Sequence, residues 1–179
     1  MINIKSDREI KIMRDVCKLV AETHQMLSKN IRAGMCAYDL DIMAEKFIKS
    51  KGGLPSQKNF PSEREGIGNF PGALCVSINN EIIHGIPTKN KIIKDGDIVS
   101  VDLTVLKNGL HGDSARSYLI GNVSEDAKQL VEVTKQSFFE GIKFAKKGYR
   151  VRRYFICNKR AYKKIRVFCF KRIPRTWYW

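Results

Sequence analysis

The chain has 179 residues, 43% of them hydrophobic, with 33 Lys and Arg against 18 Asp and Glu and a formal net charge of +15. Eleven of the basic residues lie between Tyr149 and Trp179, a stretch with no Asp or Glu, so the first 148 residues hold 22 basic against 18 acidic, a net of +4. That balance removes the case for a nucleic-acid or acidic-membrane surface on the body of the chain, and with no apolar run of roughly 18 residues a spanning helix is excluded.

The remaining bulk features agree with one domain with a core. No charged start leads into an apolar segment, so no secretory signal is expected. The five cysteines are an odd number, widely spaced and without a CxxC pair, which suits free thiols in a reducing cytoplasm.

The first expected element is a helix entered through a capping box, with Ser6 as N-cap and Glu9 at the third helical position. Ile10, Met13, Cys17, Val20, Ala21, His24 and Leu27 recur behind it at three- and four-residue intervals, one apolar stripe. His24 on that stripe reads as a hydrogen-bonded core histidine rather than a ligand. Gly34 ends this region, Tyr38–Lys51 forms a second helix, and Gly52-Gly53 closes it. The Gly/Pro/Asn-rich stretch 53–72 is expected to be one long loop walling a pocket. Ala73–Asn79, a turn at Asn79-Asn80 and Ile82–His84 read as a short hairpin, with His84 at a strand end before Gly85 and Pro87. Cys75 reads as a small core residue, with lining a pocket as the alternative. A last helix spans Ser124–Lys146, with Ser124 as N-cap and Leu130, Val131, Thr134, Phe138, Ile142 and Ala145 inward.

Between these lies the most informative segment, Ile98–Tyr118. Two β-rich runs flank Asn108-Gly109, the dipeptide suited to a type I′ turn with two positive φ angles. A two-residue loop sets Lys107 opposite Leu110, Val105 opposite Gly112 and Thr104 opposite Asp113. Alternation then puts Asp102 on the face of Thr104 and Asp113, a diagonal pair roughly 7–8 Å apart at the backbone. Asp113 alone could be a turn residue. Asp102, in the middle of an apolar strand, needs a partner or a metal. The pair is the candidate metal site. His111 shares the face but sits opposite Leu106, and it reads as a rim residue rather than a ligand.

Four pieces carry a family resemblance: Cys75-Val-Ser-Ile-Asn79, His84-Gly-Ile-Pro87, Asp95-Gly-Asp-Ile-Val-Ser-Val-Asp102 and Gly109-Leu-His-Gly-Asp113-Ser-Ala-Arg116. In order and spacing, from about residue 2 to 149, the chain resembles type I methionine aminopeptidases of the bacterial kind. Ser62–Gly68 departs from the family's shorter link. The resemblance implies an α+β (α/β) class chain, the N-terminal half only of the pita-bread, creatinase/aminopeptidase-like fold, with antiparallel β-hairpins covered by helices. It implies removal of the N-terminal methionine from nascent proteins in the cytoplasm by a monomer, with no specific nucleic-acid or membrane partner. Two divalent metal ions (Co, Mn, Fe or Zn) are implied as cofactors. Asp102 would bind one ion, Asp113 would bridge both, and His84 would be the catalytic, substrate-contacting histidine. The family's other ligands, a histidine in a Gly-His-Gly-Ile-Gly segment and two later glutamates, have no counterpart here. Two rival readings remain: a proline-specific aminopeptidase, and a non-catalytic pita-bread binding module.

Composition changes after Gly148, so residues 1–148 are read as the N-terminal half of the domain and 149–179 as a basic tail. Arg175-Thr-Trp-Tyr-Trp179 can be encoded as AGG ACA TGG TAT TGG, and dropping the first base yields Gly-His-Gly-Ile-Gly. Arg152–Cys157 and Val167–Pro174 also yield family-like words in that frame. The tail is therefore expected to be out-of-frame translation beginning near Tyr149–Arg152. On that reading the 179-residue chain as written is expected to be inactive and poorly folded.

Overall fold

The computed structural model describes residues 3–61, 68–150 and 152. They divide into two compact units, one ending at Asn122 and one beginning at Val123.

The first unit opens with α1, Asp7–Asn30. Its start is the expected capping box: Ser6 accepts from the Glu9 amide, and the Glu9 carboxylate accepts from the Ser6 amide at 2.7 Å, satisfying two orphan donors at once. The buried stripe is Val16, Leu19, Val20, Thr23, His24 and Leu27, while Cys17 and Ala21 face outward. This shifts the expected stripe. Val16–Ala21 offers apolar residues in two adjacent phases, and packing against the sheet selects one. Helix α2, Ala37–Ser50, buries Ala37, Leu40, Asp41, Ala44, Glu45 and Ile48.

The strands are β1 (Leu54–Pro55), β2 (Cys75–Ile78), β3 (Ile98–Lys107) and β4 (Leu110–Leu119), all antiparallel around β3. β4 lies along one edge of β3, and β1 and β2 share the other. The expected loop over 53–72 therefore contains a short strand, because Leu54 and Pro55 reach Leu106 and Val105 of β3. Val99, Val101, Leu103 and Val105 of β3 are fully buried against the core residues of α1 and α2, worth roughly 1.5–3 kcal/mol each in burial. The other face of β3 is left for polar residues.

The β3–β4 turn is Asn108-Gly109, with φ of 52° and 78°. Both are positive, as a type I′ turn requires. The register is the expected one, with Lys107 opposite Leu110, Thr104 opposite Asp113 and Leu106 opposite His111. His24 ties α1 to β4. Its Nε2 lies 3.0 Å from the Ser114 carbonyl and its Nδ1 2.9 Å from the Tyr118 hydroxyl, which donates to the His24 carbonyl at 3.0 Å. Burial holds its pKa below the usual value against the Ser114 bond. It is the structural histidine the sequence suggested.

One expectation fails here. Residues 82–84 form no strand. His84 has φ 56°, which a ladder cannot accommodate. Side chains take the ladder's place: Glu81 accepts from the Ile78 amide at 2.9 Å, and Ser77 accepts from the Gly85 amide at 3.2 Å.

In the second unit, α3 spans Glu125–Ile142, with Ser124 accepting from the Ala127 amide as N-cap. Its buried residues are Val133, Ser137 and Gly141, while Leu130, Phe138 and Ile142 are exposed. The inward stripe is thus not the expected one. Tail residues 151 and 153–179 lie outside the described residues. No helix among the described residues is long and apolar enough to cross a membrane.

Candidate metal centre

The site forms on the face of the sheet opposite the core. Alternation along β3 places Ser100, Asp102 and Thr104 there. The ladder to β4 adds Ala115 opposite Asp102 and Asp113 opposite Thr104, and the ladder to β2 adds Cys75 opposite Asp102. The two predicted aspartates are thus brought together as diagonal neighbours. The Thr104 hydroxyl donates to Asp113 Oδ1 at 3.1 Å, fixing one carboxylate from the strand that carries the other. Ser100 and Ser117 continue the polar face, their hydroxyls 2.9 Å apart.

The register makes the two carboxylates electrostatic neighbours. Burial, the neighbouring Asp113 charge and a hydrogen bond with Asp113 push Asp102 up to about 6, against the Leu103 amide. Two carboxyls on neighbouring positions of one face cannot both ionise without cost. They must share a proton or a cation. Cys75 senses the same field: burial first, then Asp102 and Asp113, pushes its thiol up to about 12. Cys75 is therefore the small buried residue the sequence suggested, on the face that carries the pair.

The donor set suits a hard or borderline divalent ion, because carboxylate oxygens that repel one another gain most from a cation between them. Among the described residues, no group of three or more His, Cys, Asp and Glu converges as a complete metal site. The two aspartates are a partial ligand set.

The His84 segment runs along β2. Val76 donates to the Gly85 carbonyl at 2.8 Å, and the Gly85 amide reaches the hydroxyl of Ser77, which shares the face of Cys75. A Cβ on Gly85 would overlap the Val76 carbonyl oxygen, so glycine is required for this approach. His84 is thereby carried on a segment fastened to the strand next to β3. His111 is an exposed rim residue with Nδ1 2.9 Å from the Ser56 hydroxyl, as its position opposite Leu106 suggested.

Gln57 is a contributor the sequence did not reveal. β1 pairs with β3 only at Val105 and Leu106, and β2 only from Val99 to Asp102. In the gap, the Ser56 amide donates to the Thr104 carbonyl at 2.9 Å. Gln57 Oε1 accepts from the Thr104 amide at 3.3 Å, and its Nε2 donates to the Asp102 carbonyl at 3.3 Å and to Cys75 Sγ at 3.4 Å. A glutamine in a loop carries no periodic signal; only the break in the ladder exposes its role.

The surrounding sequence has close relatives. The chain is 47% identical over 151 residues to the methionine aminopeptidase of Clostridium acetobutylicum and 46% identical to methionine aminopeptidase 1 of Bacillus subtilis. Both matches cover 84% of this chain and 58% of the relative, so the chain spans little more than half their length. The crystal structure of methionine aminopeptidase from Thermotoga maritima superposes with a TM-score of 0.84 at 35% identity, over 92% of this chain and 64% of that one. The prolidase from Pyrococcus horikoshii shares the fold at a TM-score of 0.75 and 20% identity, which places the first-unit sheet and helices in the pita-bread architecture. Residues 11–162, a span that includes both aspartates and His84, match the profile of metallopeptidase family M24, and the chain belongs to that family.

Proposed function

We propose that the complete protein removes the N-terminal methionine from polypeptides in a divalent-metal-dependent hydrolysis, and that this chain supplies the first part of its metal site. The carrying observation is the placement of Asp102 and Asp113 as diagonal neighbours on one polar face of the β3–β4 hairpin. Methionine aminopeptidases among the relatives support the substrate class. Two ions drawn from Co, Mn, Fe and Zn are the proposed cofactors, and cytoplasmic nascent-chain N-termini the proposed substrates of a monomeric enzyme.

Asp102 and Asp113 are the residues that would hold metal. When bound, a divalent ion supplies an acidified water for attack on the amide and positive charge to polarise the carbonyl. Thr104 orients Asp113 through its hydroxyl, and the Leu103 amide stabilises the ionised form of Asp102. Cys75 keeps its proton beside the carboxylates and presents a small apolar surface. His84, held by the Ser77–Gly85 contact, is the proposed substrate-contacting group.

The remaining ligands would come from sequence that the basic tail replaces, and we propose that the reading frame is lost near Tyr149–Arg152. Resequencing of that DNA checks this; an unambiguous in-frame reading with no lost or gained base contradicts it. The activity is tested on the frame-restored protein with methionyl and X-Pro peptides. Methionine release that requires added Mn2+ and both aspartates is expected. Cleavage of X-Pro peptides instead identifies the proline-specific enzyme, and binding without cleavage the non-catalytic module.

A further inference from the structure

We propose that Gln57 is a positioning residue for the carboxylate pair, acting as a one-residue splice in the edge of β3. The inference rests on the metal reading of Asp102 and Asp113. β3 must carry both Asp102 and the threonine that orients Asp113, yet the ladder on its β1/β2 edge breaks between Val105 and Asp102. β4 pairs the other edge of β3 throughout and the Ser56 amide reaches the Thr104 carbonyl, which leaves the Thr104 amide and the Asp102 carbonyl for Gln57 to hold on this edge. The Gln57 amide spans the break, accepting from the Thr104 amide and donating to the Asp102 carbonyl. Its groups match the donor and acceptor sequence of a neighbouring strand. The same Nε2 reaches Cys75 Sγ, so one side chain ties Asp102 to Thr104 and Cys75, its neighbours on the site face. Groups that hold metal ligands in place typically account for about 10–100-fold in metal affinity.

The test compares the frame-restored protein with its Gln57→Met variant, which keeps length and apolar bulk but removes both hydrogen-bonding groups. Mn2+ affinity is measured by electron paramagnetic resonance, with Asp102→Asn as the reference for loss of the site. Hydrogen exchange at the Thr104 amide and the urea midpoint are followed in parallel. The expected result is at least a tenfold weaker Mn2+ affinity and at least tenfold faster Thr104 exchange, with exchange at Val101 unchanged. Mn2+ affinity equal to wild type in Gln57→Met overturns the proposal, provided Asp102→Asn weakens binding. If Asp102→Asn also binds like wild type, the metal reading itself fails. Should Gln57→Met not fold, Gln57→Asn, whose amide is one methylene too short for the span, replaces it with the same two outcomes. A uniform rise in exchange across β3 marks simple destabilisation and also overturns it.

Discussion

Asp41 lies behind the site, on α2, only 3% exposed. Its Oδ1 accepts from the Leu74 amide at 2.7 Å. It thereby anchors the chain just before Cys75 enters β2. Burial outweighs this bond and pushes its pKa from 3.8 to about 6. The folded state therefore binds more protons than the unfolded state across that window. The stability Asp41 contributes is fully present below its unfolded value and is lost as pH rises through about 6. A difference of about 2 units corresponds to ~3 kcal/mol. Asp41→Asn mimics the protonated side chain and cannot titrate. Urea unfolding of both proteins at pH 4, 5, 6 and 7 should show the variant gaining on the wild type by ~3 kcal/mol over that range. Asp102, Glu45 and Glu9 titrate in both proteins and largely cancel in the difference. Parallel curves with a constant offset between wild type and variant would refute the reasoning.

Other expectations test separate joints of the structure. Gly85→Ala drives a methyl into the Val76 carbonyl and should cost about 1–3 kcal/mol, read by thermal unfolding, while exposing the His84 segment to proteolysis. His24→Leu strips the Ser114 carbonyl of its imidazole partner and leaves the Tyr118 hydroxyl only the backbone carbonyl at position 24, and should lower stability by about 1–3 kcal/mol in urea titration. Cys75, with its thiol pushed up to about 12, should resist maleimide at pH 8 while the exposed Cys17 reacts, as peptide mass spectrometry would record.

How far the sequence spoke for itself differed between elements. The β3–β4 hairpin was legible throughout, because Asn108-Gly109 fixes the turn and strict alternation fixes the face on which Asp102 and Asp113 meet. The capping box at Ser6 was equally plain, since its partners are three residues apart. Helix faces were less so. In α1 two apolar phases compete, and Cys17 and Ala21 lost to Val16 and Leu19 through packing on the sheet. In α3 the small residues, not the large ones, mark the buried stripe. The His84 segment defied a strand reading because a serine hydroxyl and a glutamate carboxylate, both set by tertiary placement, take over the backbone bonds. Gln57 was invisible for the same reason.

The central claim is that Asp102 and Asp113 converge on a divalent cation. A Mn2+ titration of the frame-restored protein against its Asp102→Asn, Asp113→Asn and double variants, counting free ion by electron paramagnetic resonance, addresses it directly. The account predicts saturable binding that each single variant weakens by at least tenfold and the double variant abolishes. Binding of equal strength in all four proteins would contradict it.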